Sequence, residues 1–279
     1  MGIEKINLEA LQPYIENKTV RTEKTGIKKL DEFLRFKRNL LIIGGLANVG
    51  KTTGTLWLMF TWSRLLKSSP RWLVFSNENE NAESKVMLME WFHELPIYNQ
   101  SPSQIKSALE WVDSHFQFLA NNYSIELKDV FRDAGDTKKN IWDFDGLLVD
   151  PYSSLNQGTY KDHYQNATWM REWVVKYESK LIVTMHAGTD AARLTGRDGN
   201  PAIPMPAHLE MGTMWQNRAD DMIIMHRNIQ DEKNRNVFQV HVVKTKQIRT
   251  GGKTTNKDSP IELFFQEKWG GFLWENDSV

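Results

Sequence analysis

The stretch LLIIGGLANVGKTT, residues 40–53, decides how this chain is read. Its first four residues are apolar without a break, the pattern of a short strand buried on both faces of a parallel sheet. Residues 45–52, GLANVGKT, then satisfy G-x-x-x-x-G-K-[ST] at every fixed position. Glycines there permit a loop whose backbone N–H groups turn inward as an anion nest, where the next residues start a helix. Gly45, Asn48, Val49, Gly50, Lys51, Thr52 and Thr53 are therefore candidate nucleotide-binding residues. Lys51 supplies a point charge for the β and γ phosphates, and the Thr52 hydroxyl is a ligand for Mg²⁺. The alternative is an ordinary glycine-rich strand-to-helix turn. The strand before the loop and the helix after it favour a cradle for ATP.

Working outward, residues 52–66 read as a helix, 72–75 as a strand and 83–92 as a helix. Helical patterns follow at 103–112 and 125–131, with a short strand at 116–119. Residues 146–149 form another apolar strand, 160–177 a long helix and 181–185 a further strand. This alternation predicts right-handed βαβ units and a mostly parallel twisted sheet with flanking helices. Residues 188–207 contain three Gly-containing turns and three prolines and read as a long mobile loop. Strands at 222–225, 237–243, 261–265 and 272–274 complete the pattern. Before it, residues 3–17 form a short amphipathic helix and 16–24 a polar linker. The expected organisation is an N-terminal arm, 1–24, and one α/β domain, 25–279.

Composition narrows the class. Lys plus Arg and Asp plus Glu both number 35, so the formal net charge is zero. A protein that coats nucleic acid is usually basic, yet a ring or groove can gather positive charge on one face. Cysteine is absent, which excludes disulfides, thiolate metal sites and cysteine nucleophiles and suits a reducing compartment. There is no run of 18 apolar residues, and MGIEKINLEALQPY lacks the apolar core of a signal peptide. A cytoplasmic protein without a membrane partner is expected.

Two carboxylates qualify for catalysis. LLVDPYSSL, residues 147–155, is an apolar run ending in Asp150, which from a strand's carboxyl end would hold the Mg²⁺ shell. Strands also end in Asp simply to start turns. In VFSNENENAES, Glu78 follows the second strand, and a carboxylate there is expected beside the carboxyl end of the phosphate-loop strand, where it can orient an attacking water as general base. Glu80 is the alternative from the residues alone, and Glu80 with Glu83 also suits a first helical turn.

Together these segments resemble the RecA-like ATPase domain of hexameric replicative helicases of the DnaB and Twinkle type, including phage primase-helicases. The resemblance runs in order from about residue 25 to the C-terminus, beginning with TGIKKLDEF as the lead-in. It implies a RecA-like P-loop core with antiparallel C-terminal strands, and it places the catalytic glutamate of FSNEN on Glu78. In IVTMHAG, His186 takes the place of a γ-phosphate sensor. In LEMGTMWQNRADDMIIMHRN, Gly212, Asp221 and Arg227 match the late motif, with Arg227 near base or ribose. VVKTKQIRTGG matches the Lys-x-Arg segment that reaches a neighbouring subunit's γ-phosphate. There Lys244 fits, but Lys246 stands at the Arg position and Arg249 comes three residues later. A guanidinium suits transition-state charge better than an ammonium, so Lys246 and Arg249 both remain candidates.

The resemblance further implies single-stranded DNA as partner, gripped by the loops after Asp150 and after His186, with Lys161, Arg193 and Arg197 as candidate contacts. It implies a homo-oligomer, a hexameric ring, with a primase or loader as further partner. The N-terminal helix would pack on a neighbour, with neither a primase segment nor the helical domain of DnaB before the motor. The function expected is ATP-driven translocation and strand separation. The rivals are a RecA-like ATPase without helicase activity, of recombination-mediator or signalling type, and a binding-only module. Lys51, Asp150 and Glu78 do not separate the first rival, but the late motif and His186 favour the helicase.

Overall fold

The computed structural model describes residues 7–16, 22–120, 125–156, 158–196, 201–246 and 252–274. The chain runs α1 (Leu8–Ile15), α2 (Lys28–Phe33), β1 (Leu40–Gly45), α3 (Lys51–Leu65), β2 (Trp72–Ser76) and α4 (Asn81–His93). It continues with α5 (Pro102–His115), β3 (Phe116–Phe118), α6 (Leu127–Asn140), β4 (Gly146–Asp150), α7 (Tyr160–Tyr177) and β5 (Lys180–His186). The last elements are α8 (Thr189–Ala192), α9 (Gly212–Arg218), β6 (Asp221–His226), β7 (Val237–Thr245), β8 (Ile261–Gln266) and β9 (Gly271–Trp274).

The strands form a nine-stranded sheet ordered β3-β2-β4-β5-β1-β6-β7-β8-β9. Pairing is parallel from β3 to β6 and antiparallel from β6 to β9. This is the mostly parallel sheet with antiparallel C-terminal strands that the sequence predicts. Every residue of β1 is buried, because helices cover both faces. Strand alternation divides its side chains between two cores. Leu41 and Ile43 join α3 and α4 on one face, while Leu40 and Ile42 join α6, α7 and α9 on the other.

Helix α3 carries the phosphate loop's last residues and is buried along most of its length, from Lys51 to Ser63. Aromatic packing holds it. Trp57 meets Trp91 edge-on at 5.3 Å and Trp269 at 5.7 Å, and Trp62 stacks on Trp72 at 5.9 Å. Full burial of such side chains contributes about 1.5–3 kcal/mol each, so the loop is mounted on one of the firmest elements of the domain.

The lead-in is organised by Asp31. Its carboxylate accepts from the N–H of Thr25 (2.8 Å), the Thr25 hydroxyl (2.9 Å) and the N–H of Gly26 (2.8 Å), and α2 follows at once. The described residues of 188–207, expected as a long mobile loop, contain short elements. α8 occupies their start, Ala202 N donates to Leu194 O at 2.8 Å, and Pro206–His208 form a 3-10 turn. Short backbone bonds across the loop are available even where glycine and proline exclude a long element.

Candidate functional site

Sheet register brings the candidate residues to one edge. Gly45 stands opposite His186 across β1 and β5, and Ser76 opposite Asp150 across β2 and β4. The carboxyl ends of four parallel strands therefore gather at one edge of the sheet, and ligands of open α/β sheets bind beyond such ends. β2 does not lie beside β1, because β4 and β5 stand between them. Glu78 reaches the phosphate loop through the two residues that extend the chain past Ser76, which carry it back to His186.

The loop itself is shaped for an anion. Asn48 and Gly50 adopt φ of 62° and 88°, and α3 starts at Lys51 with no side-chain cap and no acid in its first turn. The first-turn N–H groups and the positive end of the helix dipole thus lie beside the Lys51 ammonium, a donor set that fits phosphate. Gly45 is required by space, since a Cβ there would come within 2.6 Å of the Met225 carbonyl oxygen.

Lys51, 5% exposed, donates to Leu46 O at 2.8 Å and meets His186 Nδ1 at 3.1 Å. An ammonium only donates, so Nδ1 accepts and the ring hydrogen sits on Nε2. Nε2 donates it to Glu78 Oε1 at 2.8 Å. A neutral His186 thereby links Lys51 to the candidate base, Glu78. Its hydrogen bond holds the Glu78 carboxyl below the ordinary range, so Glu78 is ionised at neutral pH. Burial lowers the pKa of Lys51, opposed by the charges of Glu78 and Asp150.

Asp150 is 1% exposed. Thr52 Oγ1 donates to its Oδ2 at 2.8 Å, Ser76 Oγ to the same oxygen at 3.3 Å, and Thr184 Oγ1 to Oδ1. Burial raises its pKa, and the Thr184 and Thr52 hydroxyls pull the other way. A desolvated carboxylate beside a threonine hydroxyl fits Mg²⁺, which takes few protein oxygens and completes its shell with phosphate oxygens and water. Sequence reasoning missed Ser76 and Thr184. The signal was a hydroxyl inside each apolar strand run, at the position that register places beside Asp150.

Asn48, Gly50, Lys51, Thr52, Glu78, Asn79 and His186 line a cleft of about 330 Å³. Val49 is buried and Thr53 half-buried in the same loop and helix start. Glu80 is exposed at the N-cap of α4, as its helix-start reading has it. Arg227 lies outside this lining. Its guanidinium bonds Arg235 O and Asn236 Oδ1 and covers the Phe265 ring at 4.6 Å.

The basic residues of β7 lie elsewhere. Lys244 pairs with Met222 in register, at the amino end of β6. Met222 is level with Ile42, three residues before Gly45, so at about 3.3 Å per residue that position lies about 10 Å back along the sheet from the start of the loop. Lys244 Nζ donates to Gln216 O (2.5 Å) and Ala219 O (2.7 Å), closing the C-terminus of α9. Lys246 bonds Asp220 at 3.1 Å and lines a cavity of about 850 Å³ with Lys37, Arg38, Arg171 and Asp221. Asp221 is itself buried, held by Asn39 (2.8 Å) and Lys37 (3.4 Å). Gly212 opens α9, where a Cβ would lie 2.2 Å from Pro206 O. Lys161 and Arg193 are exposed. Arg197 and Arg249 lie outside the described residues.

The fold is that of known helicase ATPase domains. One solved ATPase domain superposes with a TM-score of 0.75 at 14% identity, covering 98% of this chain and 99% of that one. A DnaB-like replicative helicase, whose structure describes its interactions with primase, superposes with a TM-score of 0.71 at 14% identity, covering 98% and 67%. No family model and no curated protein matches the sequence. Among the described residues no helix is long and apolar enough to cross a membrane.

Proposed function

We propose that this protein is an ATP-dependent DNA helicase motor of the DnaB type, which couples ATP hydrolysis to movement along single-stranded DNA and to strand separation. The observation that carries the reading is the linked set Lys51–His186–Glu78 facing the Asp150–Thr52 pair in one cleft. Lys51 and the first turn of α3 bind the β and γ phosphates, with Thr52 and Asp150 holding the metal shell. Mg²⁺ held there would supply positive charge to the phosphate oxygens. Glu78 orients the attacking water and receives its proton as the water oxygen bonds the γ-phosphorus, whose bond to the bridging oxygen breaks to release ADP. When Lys51 turns to phosphate, His186 Nδ1 loses its donor, so His186 reports the nucleotide state to the segment that follows β5.

Lys244 and Lys246, remote from their own cleft, suit service to a neighbouring subunit's nucleotide in a homo-hexameric ring, with Arg249 as the alternative. Arg227 serves the base or ribose. Arg193 and Arg197 belong to the DNA-facing loop after His186, and Lys161, in the first turn of α7, to the DNA-facing side after Asp150. A primase or loader and a cytoplasmic setting complete the reading.

The test compares ATPase activity with and without single-stranded DNA, and unwinding of a forked duplex, for wild type and Lys51→Ala. Stimulation by DNA and strand separation, both lost in Lys51→Ala, are expected. Hydrolysis that ignores DNA, without strand separation, would overturn the helicase reading in favour of a RecA-like ATPase of another kind.

A further inference from the structure

Tyr164 is left 47% exposed on α7, and the Arg218 guanidinium at the end of α9 lies 4.2 Å from its ring centroid. The two elements are joined at this point, since Arg171 Nη1 of α7 donates to Arg218 O at 2.7 Å. Lys161 and Thr168 stand three positions before and four after Tyr164, on the same stripe of the helix. The opposite face of α7 is buried. There His163 Nδ1 lies 2.9 Å from the Tyr152 hydroxyl, which also accepts from Asn166 Nδ2 at 2.8 Å. The inner face of α7 thus grips the chain just after Asp150, while its outer face presents a ring, a planar cation and an ammonium.

That combination has a specific use. A phenol ring and a guanidinium both offer flat surfaces to the π-face of a base, and an ammonium one turn away suits a phosphate. The carboxylate next to Lys161, Asp162, is engaged by the N–H (2.7 Å) and hydroxyl (2.8 Å) of Thr159, and Asp220 by Arg171 and Lys246. We propose that Tyr164 and Arg218 form a stacking platform for a base of single-stranded nucleic acid, with Lys161 on the adjoining phosphate. Stacking reads no base edge, so the platform is indifferent to sequence. The inference rests on the single-stranded DNA reading above and deepens it.

Binding of labelled oligothymidine is measured for wild type, Tyr164→Phe, Tyr164→Ala and Arg218→Ala, with photocrosslinking to 5-iododeoxyuridine. Tyr164→Ala is expected to bind about fivefold or more weakly, Tyr164→Phe like wild type and Arg218→Ala in between. The crosslink is expected on Tyr164, and ATPase without DNA unchanged in all variants. An abasic oligonucleotide should bind wild type and Tyr164→Ala equally. If wild type binds oligothymidine while Tyr164→Ala binds as tightly and the crosslink lies elsewhere, the platform is refuted and the DNA reading stands. If wild type binds no oligothymidine, both fall.

Discussion

Replacing Thr184 by valine tests whether the hydroxyls around Asp150 sustain a buried carboxylate. Thr184 and Asp150 are 0% and 1% exposed, and the Thr184 hydroxyl donates to Asp150 Oδ1. Valine keeps the shape and removes only that donor. A hydrogen bond to a charged group contributes about 1.5–3 kcal/mol. Thr184→Val should therefore lose about 2 kcal/mol of unfolding free energy at pH 8, and without the Thr184 hydroxyl, which pulls against burial, the Asp150 pKa should rise further. The sign follows from burial. Asp150 already has a folded pKa above its ordinary 3.8, so the fold binds the proton more tightly than the unfolded chain does. Stability falls as pH rises through the window from 3.8 up to that raised value. The variant extends the window upward, so its deficit should be largest at pH 8 and narrow as Asp150 protonates. Urea unfolding followed by tryptophan fluorescence from pH 5 to 8 reads the deficit, and the acid limb of the ATPase profile should move up in parallel. A variant within about 0.5 kcal/mol of wild type at every pH would refute the reasoning.

Three further outcomes are expected. His241 is buried and its pKa is pushed from 6.5 down to about 4, chiefly by desolvation and then by His226. It stabilises the fold above its unfolded pKa, and about 2 kcal/mol should be lost between pH 7.5 and 5. His241→Leu should flatten that acid slope in urea melts, and an unchanged slope counts against the assignment. Gly45→Ala places a Cβ 2.6 Å from Met225 O and should weaken nucleotide binding by about tenfold or more as the loop shifts; unaltered binding of a fluorescent ATP analogue would contradict it. Rings mixed from Lys246→Ala and Glu78→Ala subunits should recover ATPase activity beyond either variant alone, because intact halves meet at shared interfaces. No recovery for Lys246→Ala, with recovery for Arg249→Ala, assigns the trans role to Arg249.

The sequence by itself determined the phosphate loop, its strand and helix, and the acid at the end of β4. Each of these is a local arrangement in which residue type and spacing already place the atoms. Gly50 must turn left-handed, Lys51 must follow it, and Asp150 must end an apolar run. The lead-in TGIKKLDEF, read through its resemblance, is equally local, since Asp31 bonds residues only five and six positions away. Only the tertiary structure decided what stands beside what. Crossover connections set β4 and β5 between β2 and β1, so Glu78 meets His186 over a sequence separation of 108. Parallel register, invisible in any one segment, carries Ser76 and Thr184 to Asp150. The antiparallel return of β7 sends Lys244 and Lys246 to the far end of the sheet, where each binds a partner of its own. Short-range spacing is written in the chain; strand order is settled by which faces bury one another, and that depends on all the strands together.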